Sequence, residues 1–314
     1  MRISKVYGGY VLESILSIYY AWKFRKKKYD LVYTNTRGPI VGAKIAKKLN
    51  LPHIVHVREF GAEKPLFGFW GYKKIYKMSN KIILISKALY DEYSYYVKED
   101  KLVAIPNGID SPLGLPFHVH KDKADKEYNL LLTGRLVPDK GHKDAIMAMK
   151  ILKDRGIKNL HLYIAGSLQQ SMHIGWYEKE LKELINKEQL EQSITFCGEV
   201  DDMVSLRNKM DVELMTAIKE TFGRVTIEGM RSGLLLIGSN TGGTVELIQD
   251  GVTGLLYEQG NPKDLADKIQ KVYSDHKYAE KLAKAGYEYT QCHYTAKENV
   301  NNVYNVIKET VDNN

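Results

Sequence analysis

Residues 211 to 230 read DVELMTAIKETFGRVTIEGM. DVELMTA, at 211–217, has the length and apolar content of a strand. KETFG, at 219–223, is the polar loop at its carboxyl end. Phe222 and Gly223 open a helix on which Val225, Ile227 and Met230 mark a core-packing face. Strand, polar tip and apolar-faced helix make one step of a parallel sheet covered by helices. Glu220 lies in the loop and Glu228 on the helix, eight positions apart. They are either a pair with a joint task or a loop acid and a helix acid that stand close by chance.

The same step recurs along the chain. DLVYTN (30–35), HIVHV (53–57), KIILIS (81–86) and LVAIPNGI (102–109) read as strands. Helices fall at 9–28, at 41–50 closing on Asn50, around 69–78, and from Lys87 behind Ser86, a capping residue type. YNLLLTG (128–134), HLYIAG (161–166), SITFCG (193–198) and LLLIGSN (234–240) form a second set, with a helix at 143–156 and terminal helices over 285–311. The polar, aperiodic FHVHKDKADKE (117–127) reads as a linker. The expected fold is α/β with two parallel-sheet domains, residues 1–118 and 119–285, and with helices at 286–314 packing back toward the first. Ligands meet such sheets at the carboxyl ends of their strands, so the polar tips are where chemistry belongs.

A chain of 314 residues, 44% hydrophobic and 27% charged, has room for two domains with real cores. Two distant cysteines, Cys197 and Cys292, make neither a zinc pattern nor a disulfide scaffold, which points to a reducing compartment. The apolar run VLESILSIYYAW contains Glu13, is too short for a bilayer, and lacks a signal-peptide cleavage site. Net charge is +8 and unevenly spread. Residues 1–118 hold 20 Lys/Arg against 9 Asp/Glu, and residues 119–314 hold 26 against 29. A basic first half suits anionic headgroups or phosphorylated substrates; solvated helix faces are the other reading. Zinc-finger spacing and aromatic RNA-binding motifs are absent, so nucleic acid is not an expected partner.

Three tips carry the chemistry. In GRLVPDKG (134–141), Gly134 ends a strand and Arg135 and Lys140 follow, two cations suited to a pyrophosphate. A turn with two solvated cations is the other reading. NTGGTVEL (240–247) sets Gly242 and Gly243 before a helix bearing Glu246, an arrangement that can offer backbone N–H groups to an anion or serve only as a turn. In KETFG, Gly223 lets a ligand approach the backbone. A helix carboxylate such as Glu228 can accept both hydroxyls of a ribose, or be a solvent-facing acid balanced by Arg224 or Arg231.

IPNGID, TGRLVPDKG, FCGEV, KETFGRVTIEGM and NTGGTVELIQDGVTGLLY occur in this order over roughly residues 100–260. Together they resemble the nucleotide-sugar-dependent retaining glycosyltransferases of family 4, which have the GT-B fold of two Rossmann-like domains facing a cleft. That family's E-x7-E motif is met by Glu220 and Glu228. The resemblance implies that Arg135 and Lys140 neutralise the donor diphosphate, Glu228 binds its ribose and Glu220 lies by its sugar. It implies that Phe222 and Gly223 supply backbone near the sugar and phosphates, that Gly198 and Val200 border the base, and that Gly242 and Gly243 line the pocket near Glu246. It implies a UDP- or GDP-sugar donor, no metal cofactor, and same-face substitution in which the leaving phosphate helps deprotonate the acceptor. TFGRVTIEGM and HVREFG look most like members that build bacterial surface glycans, with glycan or lipid-linked acceptors. This implies a cytoplasmic enzyme at the inner face of the membrane.

The first half departs from the family pattern. Its first strand, DLVYTN, looks like a middle strand of the lobe. Two or more opening βα steps, about 60–80 residues at about 30 per step, are expected to be missing. The consequence is a truncated N-terminal domain with an exposed sheet edge, open to self-association or a partner chain. At REFG, Arg58 and Glu59 stand where the family places a histidine and an acid, and are expected to face the cleft. His53 and His56 read as packing or surface residues, His56 on Arg58's side of the strand. KVYGGYVLESILSIYYAWKFRKKK and FGFWGYKKIYK mix Trp and Tyr with cations, as peripheral membrane contact requires. The alternatives are an inactive nucleotide-sugar-binding or interaction protein, and a GT-B epimerase or hydrolase.

Overall fold

The computed structural model describes residues 2–62, 71–109, 117, 127–166 and 175–314. Most of the expected linker, Asp110, Ser167 and the start of FGFWGYKKIYK lie outside the described residues. The chain divides into two compact units, residues 1–108 with 296–314, and residues 109–295.

The first unit begins with α1 (Arg2–Phe24), β1 (Val32–Thr34), α2 (Val41–Leu49), β2 (His53–Val57), α3 (Gly71–Met78), β3 (Lys81–Leu84), α4 (Lys87–Ser94) and β4 (Leu102–Ala104). The strands form a parallel sheet in the order β1-β2-β3-β4. Every side chain of β2 is buried, as a central parallel strand covered on both faces requires. Asn50 closes α2 in the left-handed region, at φ 53°, a conformation that Asn tolerates better than most residues. Ser86 caps α4, its Oγ accepting from the Leu89 N–H at 3.1 Å. Helix α1 ends at Phe24, inside the basic run KFRKKK expected to close it, rather than at residue 28. No described helix is long and apolar enough to cross a membrane.

The second unit runs β5 (Tyr128–Thr133), α5 (His142–Asp154), β6 (Leu160–Ala165), α6 (Gly175–Lys187), β7 (Ile194–Gly198), α7 (Met203–Arg207), β8 (Val212–Met215), α8 (Arg224–Arg231), β9 (Leu235–Ser239), α9 (Thr244–Leu247), β10 (Leu255–Tyr257), α10 (Pro262–Ser274) and α11 (His276–Cys292). Its parallel sheet has the order β10-β9-β8-β5-β6-β7. The chain steps outward from β5 to β7, then returns to begin β8 beside β5. That reversal is the switch point at which doubly wound sheets open a crevice outside their strand ends. Leu130, Leu132, Leu162, Ile164, Val212 and Leu214 anchor the core beneath it.

A last helix, α12 (Ala296–Asp312), belongs to the first unit. Val306 packs there with Ile54, Ile83 and Ile105. The boundaries expected at 118/119 and 285/286 fall instead at 108/109 and 295/296. The reason is local. Helix α11 runs unbroken through residue 285 and ends before Tyr294, which is left-handed at φ 61°. The buried Arg231 guanidinium donates to the carbonyls of Ile109 (2.7 Å), Thr290 (3.1 Å) and Tyr294 (3.3 Å), tying both boundary segments to the second unit.

Candidate functional site

The tips of β9, β8, β5, β6 and β7 lie along one edge of the second sheet, because all its strands are parallel. In the middle of this row, Lys140 ends a 3-10 turn (Pro138–Lys140) after β5. Its aliphatic stem lies against Gly134, where a Cβ would stand 3.4 Å from the lysine Cγ and Cδ. Its Nζ is 2.5 Å from Glu220 Oε2. Arg135, on the same loop, is exposed. A lysine–carboxylate pair therefore sits at the switch point between β5 and β8, with Arg135 on the loop that carries the lysine.

The loops carrying these groups are locked together by backbone. The Thr216 hydroxyl donates to the Lys140 carbonyl at 2.8 Å, and the Ile218 N–H to the Asp139 carbonyl at 2.9 Å. Gly141, at φ 67°, packs so closely on the Thr216 carbonyl that a Cβ would collide with it. Gly242, at φ 57°, meets the Glu220 backbone in the same way, and the Gly243 N–H donates to the Glu220 carbonyl at 2.7 Å. These two glycines thus set the place of the Glu220 loop. Phe222 is buried, its ring edge-on to Tyr294 at 5.8 Å. Gly223 caps α8 in the left-handed region.

Glu228 is held by partners different from those of Glu220. One oxygen is 3.4 Å from Arg207 Nη2, and the other is 3.6 Å from Arg224 Nη2. Arg231, the other cation considered for it, is occupied elsewhere. Arg207 is buried and forks onto Glu213, with Nε–Oε2 at 3.0 Å and Nη2–Oε1 at 3.3 Å. Glu213 itself is fully buried on β8 and accepts from the Thr133 hydroxyl at 2.7 Å. Burial works against the Arg207 charge, but Glu213 and then Glu228 outweigh it and raise its pKa. Removing one partner of such a buried pair typically costs about 3–5 kcal/mol, whereas the intact pair adds little net stability.

Gly198 and Val200 lie at the tip of β7, the far end of the row. Gly198 is exposed at φ 68°, and its carbonyl accepts from the Gly166 N–H at 2.8 Å. Val200 is partly buried against the core. Glu246 sits on the short α9, beside Gly242 and Gly243, and its carbonyl accepts from the Tyr294 hydroxyl at 3.2 Å. Among the described residues, no three His, Cys, Asp or Glu side chains gather where they could hold a metal ion.

In the first unit, Arg58 follows β2 and donates to Asn35 Oδ1 and Asn107 Oδ1, each at 2.9 Å. It joins the tips of β1, β2 and β4. Glu59 accepts from the Thr36 hydroxyl at 2.8 Å and from the Arg58 N–H at 3.2 Å. The two histidines are buried. The Ser79 hydroxyl donates to the Ile75 carbonyl, so it accepts from His53 Nδ1, leaving Nε2 to accept from Thr34. His56 Nδ1 bonds the Tyr33 hydroxyl at 2.6 Å. Burial pulls both down to about 4, with the Arg58 charge adding to the effect at His56.

The family model described as glycosyl transferases group 1 matches residues 117–289, more than half of the chain. The chain belongs to the glycosyl transferases group 1. Across the first unit of this group 1 member, a model described as glycosyltransferase family 4 matches residues 8–111. The capsular polysaccharide biosynthesis glycosyltransferase CapM of Staphylococcus aureus is 28% identical over 246 residues, 73% of this chain. The match spans 62% of CapM's own length. In structure, Anabaena HepE, solved in complex with UDP, superposes with a TM-score of 0.82 at 21% identity, covering 93% of this chain and 82% of HepE. A glycosyltransferase from Rickettsia africae gives 0.81 at 25% identity, covering 95% and 81%. The group 1 chain thus has two Rossmann-like parallel-sheet domains, the GT-B architecture.

Arg207, Glu213 and Thr133 were not among the residues expected at the site. One signal was present. A glutamate inside DVELMTA, a strand expected to be buried on both faces, needs a buried partner.

Proposed function

We propose that the protein is a retaining glycosyltransferase that moves a sugar from a nucleoside diphosphate to a glycan or lipid-linked acceptor. The observation that carries this reading is the pairing of Lys140 with Glu220 at the switch point, with Arg135 on the same loop as Lys140 and Glu228 on the helix that follows. Cleavage of the anomeric C–O bond leaves negative charge on the departing diphosphate. Lys140 and Arg135 stabilise that charge. Glu220 orients the sugar or steadies positive charge at its anomeric carbon. The acceptor oxygen bonds on the same face, and its proton passes to the leaving phosphate. Glu228 accepts the ribose hydroxyls. Gly198 and Val200 border the base, and the α8 start at Gly223 offers N–H groups to the phosphates. Arg58 and Glu59 serve the acceptor side.

The similarity to CapM supports a role in surface polysaccharide synthesis. Residues Val11, Leu12, Ile15, Ile18, Tyr19 and Trp22 form a stripe along α1, each half or more exposed. Arg25 stacks over Trp22 at 4.9 Å, at the start of the basic run. An apolar stripe ending in cations suits the inner face of an anionic membrane.

Purified protein incubated with UDP- and GDP-sugars, with and without candidate acceptors, is expected to release nucleotide faster when acceptor is present. Donor binding with no release under any acceptor would instead support an inactive binding protein. Release that is insensitive to acceptor would support a hydrolase.

A further inference from the structure

We propose that Arg207 and Glu213 are positioning residues that fix the Glu228 carboxylate, and that they thereby set the site's preference for ribose over 2′-deoxyribose. This rests on Glu228 binding the donor ribose.

The argument begins with the geometry. A surface glutamate samples several rotamers, and ordering one costs entropy at each binding event. Glu228 is instead held on one side by a guanidinium whose own orientation is fixed. Arg207 is 5% exposed and Glu213 0%, so the fork between them has no solvent into which to swing. The Thr133 hydroxyl, at the end of β5, fixes the second Glu213 oxygen. Strand β5 thus reports to helix α8 through four side chains. Arginine suits this place because its rigid planar fork engages Glu213 through two nitrogens while also reaching Glu228, which a compact ammonium on a flexible stem holds less firmly.

Gly229 supplies a second, independent observation. A Cβ there would collide with Glu213 Oε2. The helix backbone beside Glu228 has therefore been left bare where the buried carboxylate lies. Glycine inside a helix costs about 1 kcal/mol relative to alanine, and here its absent side chain admits the lock.

The test is the affinity ratio for UDP and 2′-deoxy-UDP, with GDP and 2′-deoxy-GDP in parallel, measured by titration calorimetry on the full chain. A charged hydrogen bond to the 2′-hydroxyl gives the unaltered protein about a ten-fold or greater preference for the ribonucleotide. Glu228→Ala, which leaves no side-chain acceptor for the 2′-hydroxyl, should largely abolish it. Arg207→Met with Glu213→Gln removes both buried charges together and should reduce the preference to within about three-fold of unity. Arg207→Lys, which keeps a cation between the two carboxylates, should give an intermediate ratio. A purely structural role would weaken both nucleotides alike and leave the ratio intact. An unchanged ratio in both Arg207 variants, with loss in Glu228→Ala, overturns the positioning role alone. No preference in the unaltered protein, or a preference that survives Glu228→Ala, overturns the ribose assignment beneath it.

Discussion

Lys140 and Glu220 are 2.5 Å apart, so a diphosphate held by Lys140, as proposed, would compete with Glu220 for the same ammonium. Lys140→Ala should therefore lower the rate of nucleotide release by about 10²–10³, the scale seen when one preorganised charge-stabilising donor is lost. Glu220→Gln should act in two directions. It slows transfer, yet tightens binding of free UDP or GDP by up to about five-fold, because a partly exposed ion pair worth up to about 1 kcal/mol no longer holds the lysine. Calorimetry beside a release assay checks both, and weaker nucleotide binding in the variant would mean that the pair does not compete. Lys140 and Glu220 were legible as polar groups at strand tips. The support beneath Glu228 was not. Arg207 stands six residues before Glu213 with nothing local to mark it, and only the packing of α7 and α8 over β8 brings the three together.

At the scale of elements, β2 matches its expected span residue for residue, because the run His53–Val57 is bounded by Pro52 on one side and by Arg58 and Glu59 on the other. Strand β10 has three residues and no pattern of its own, so it was not anticipated. The lateral order of strands was also illegible. Periodicity identifies strands, but their neighbours are chosen by the helices that cover them. The glycine contacts make one sharp prediction. Gly242→Ala combines a left-handed backbone with a collision against Glu220 and should destabilise the second unit by about 1–3 kcal/mol. Urea unfolding measures this, and a midpoint equal to that of the unaltered protein would show that the loop accommodates the methyl group.

At the scale of the whole molecule, the three buried histidines among the described residues contribute to the response to acid. Burial lowers His53, His56 and His142 from 6.5 to about 4, helped by Arg58 at His56 and by Lys140 at His142. Folding favours their neutral forms, so between these values the unfolded chain binds more protons. Stability should be level above about pH 6.5 and fall toward pH 4, by up to about 1.4 kcal/mol per pH unit for each histidine. Thermal melts from pH 7.5 to 4.5 test this. His142→Phe, which keeps the ring beside Tyr177, should make the fall shallower. A melting temperature independent of pH across that window would show that these rings protonate without cost.

The return of α12 to the first unit has a consequence for synthesis. Ile54, Ile83 and Ile105 emerge from the ribosome early, but Val306, which packs with them, emerges only after the whole second unit. Residues 109–295 are contiguous and free to fold as they appear. The usual order, amino-terminal domain first, is therefore reversed in this chain: the half that is translated first is the half that finishes last.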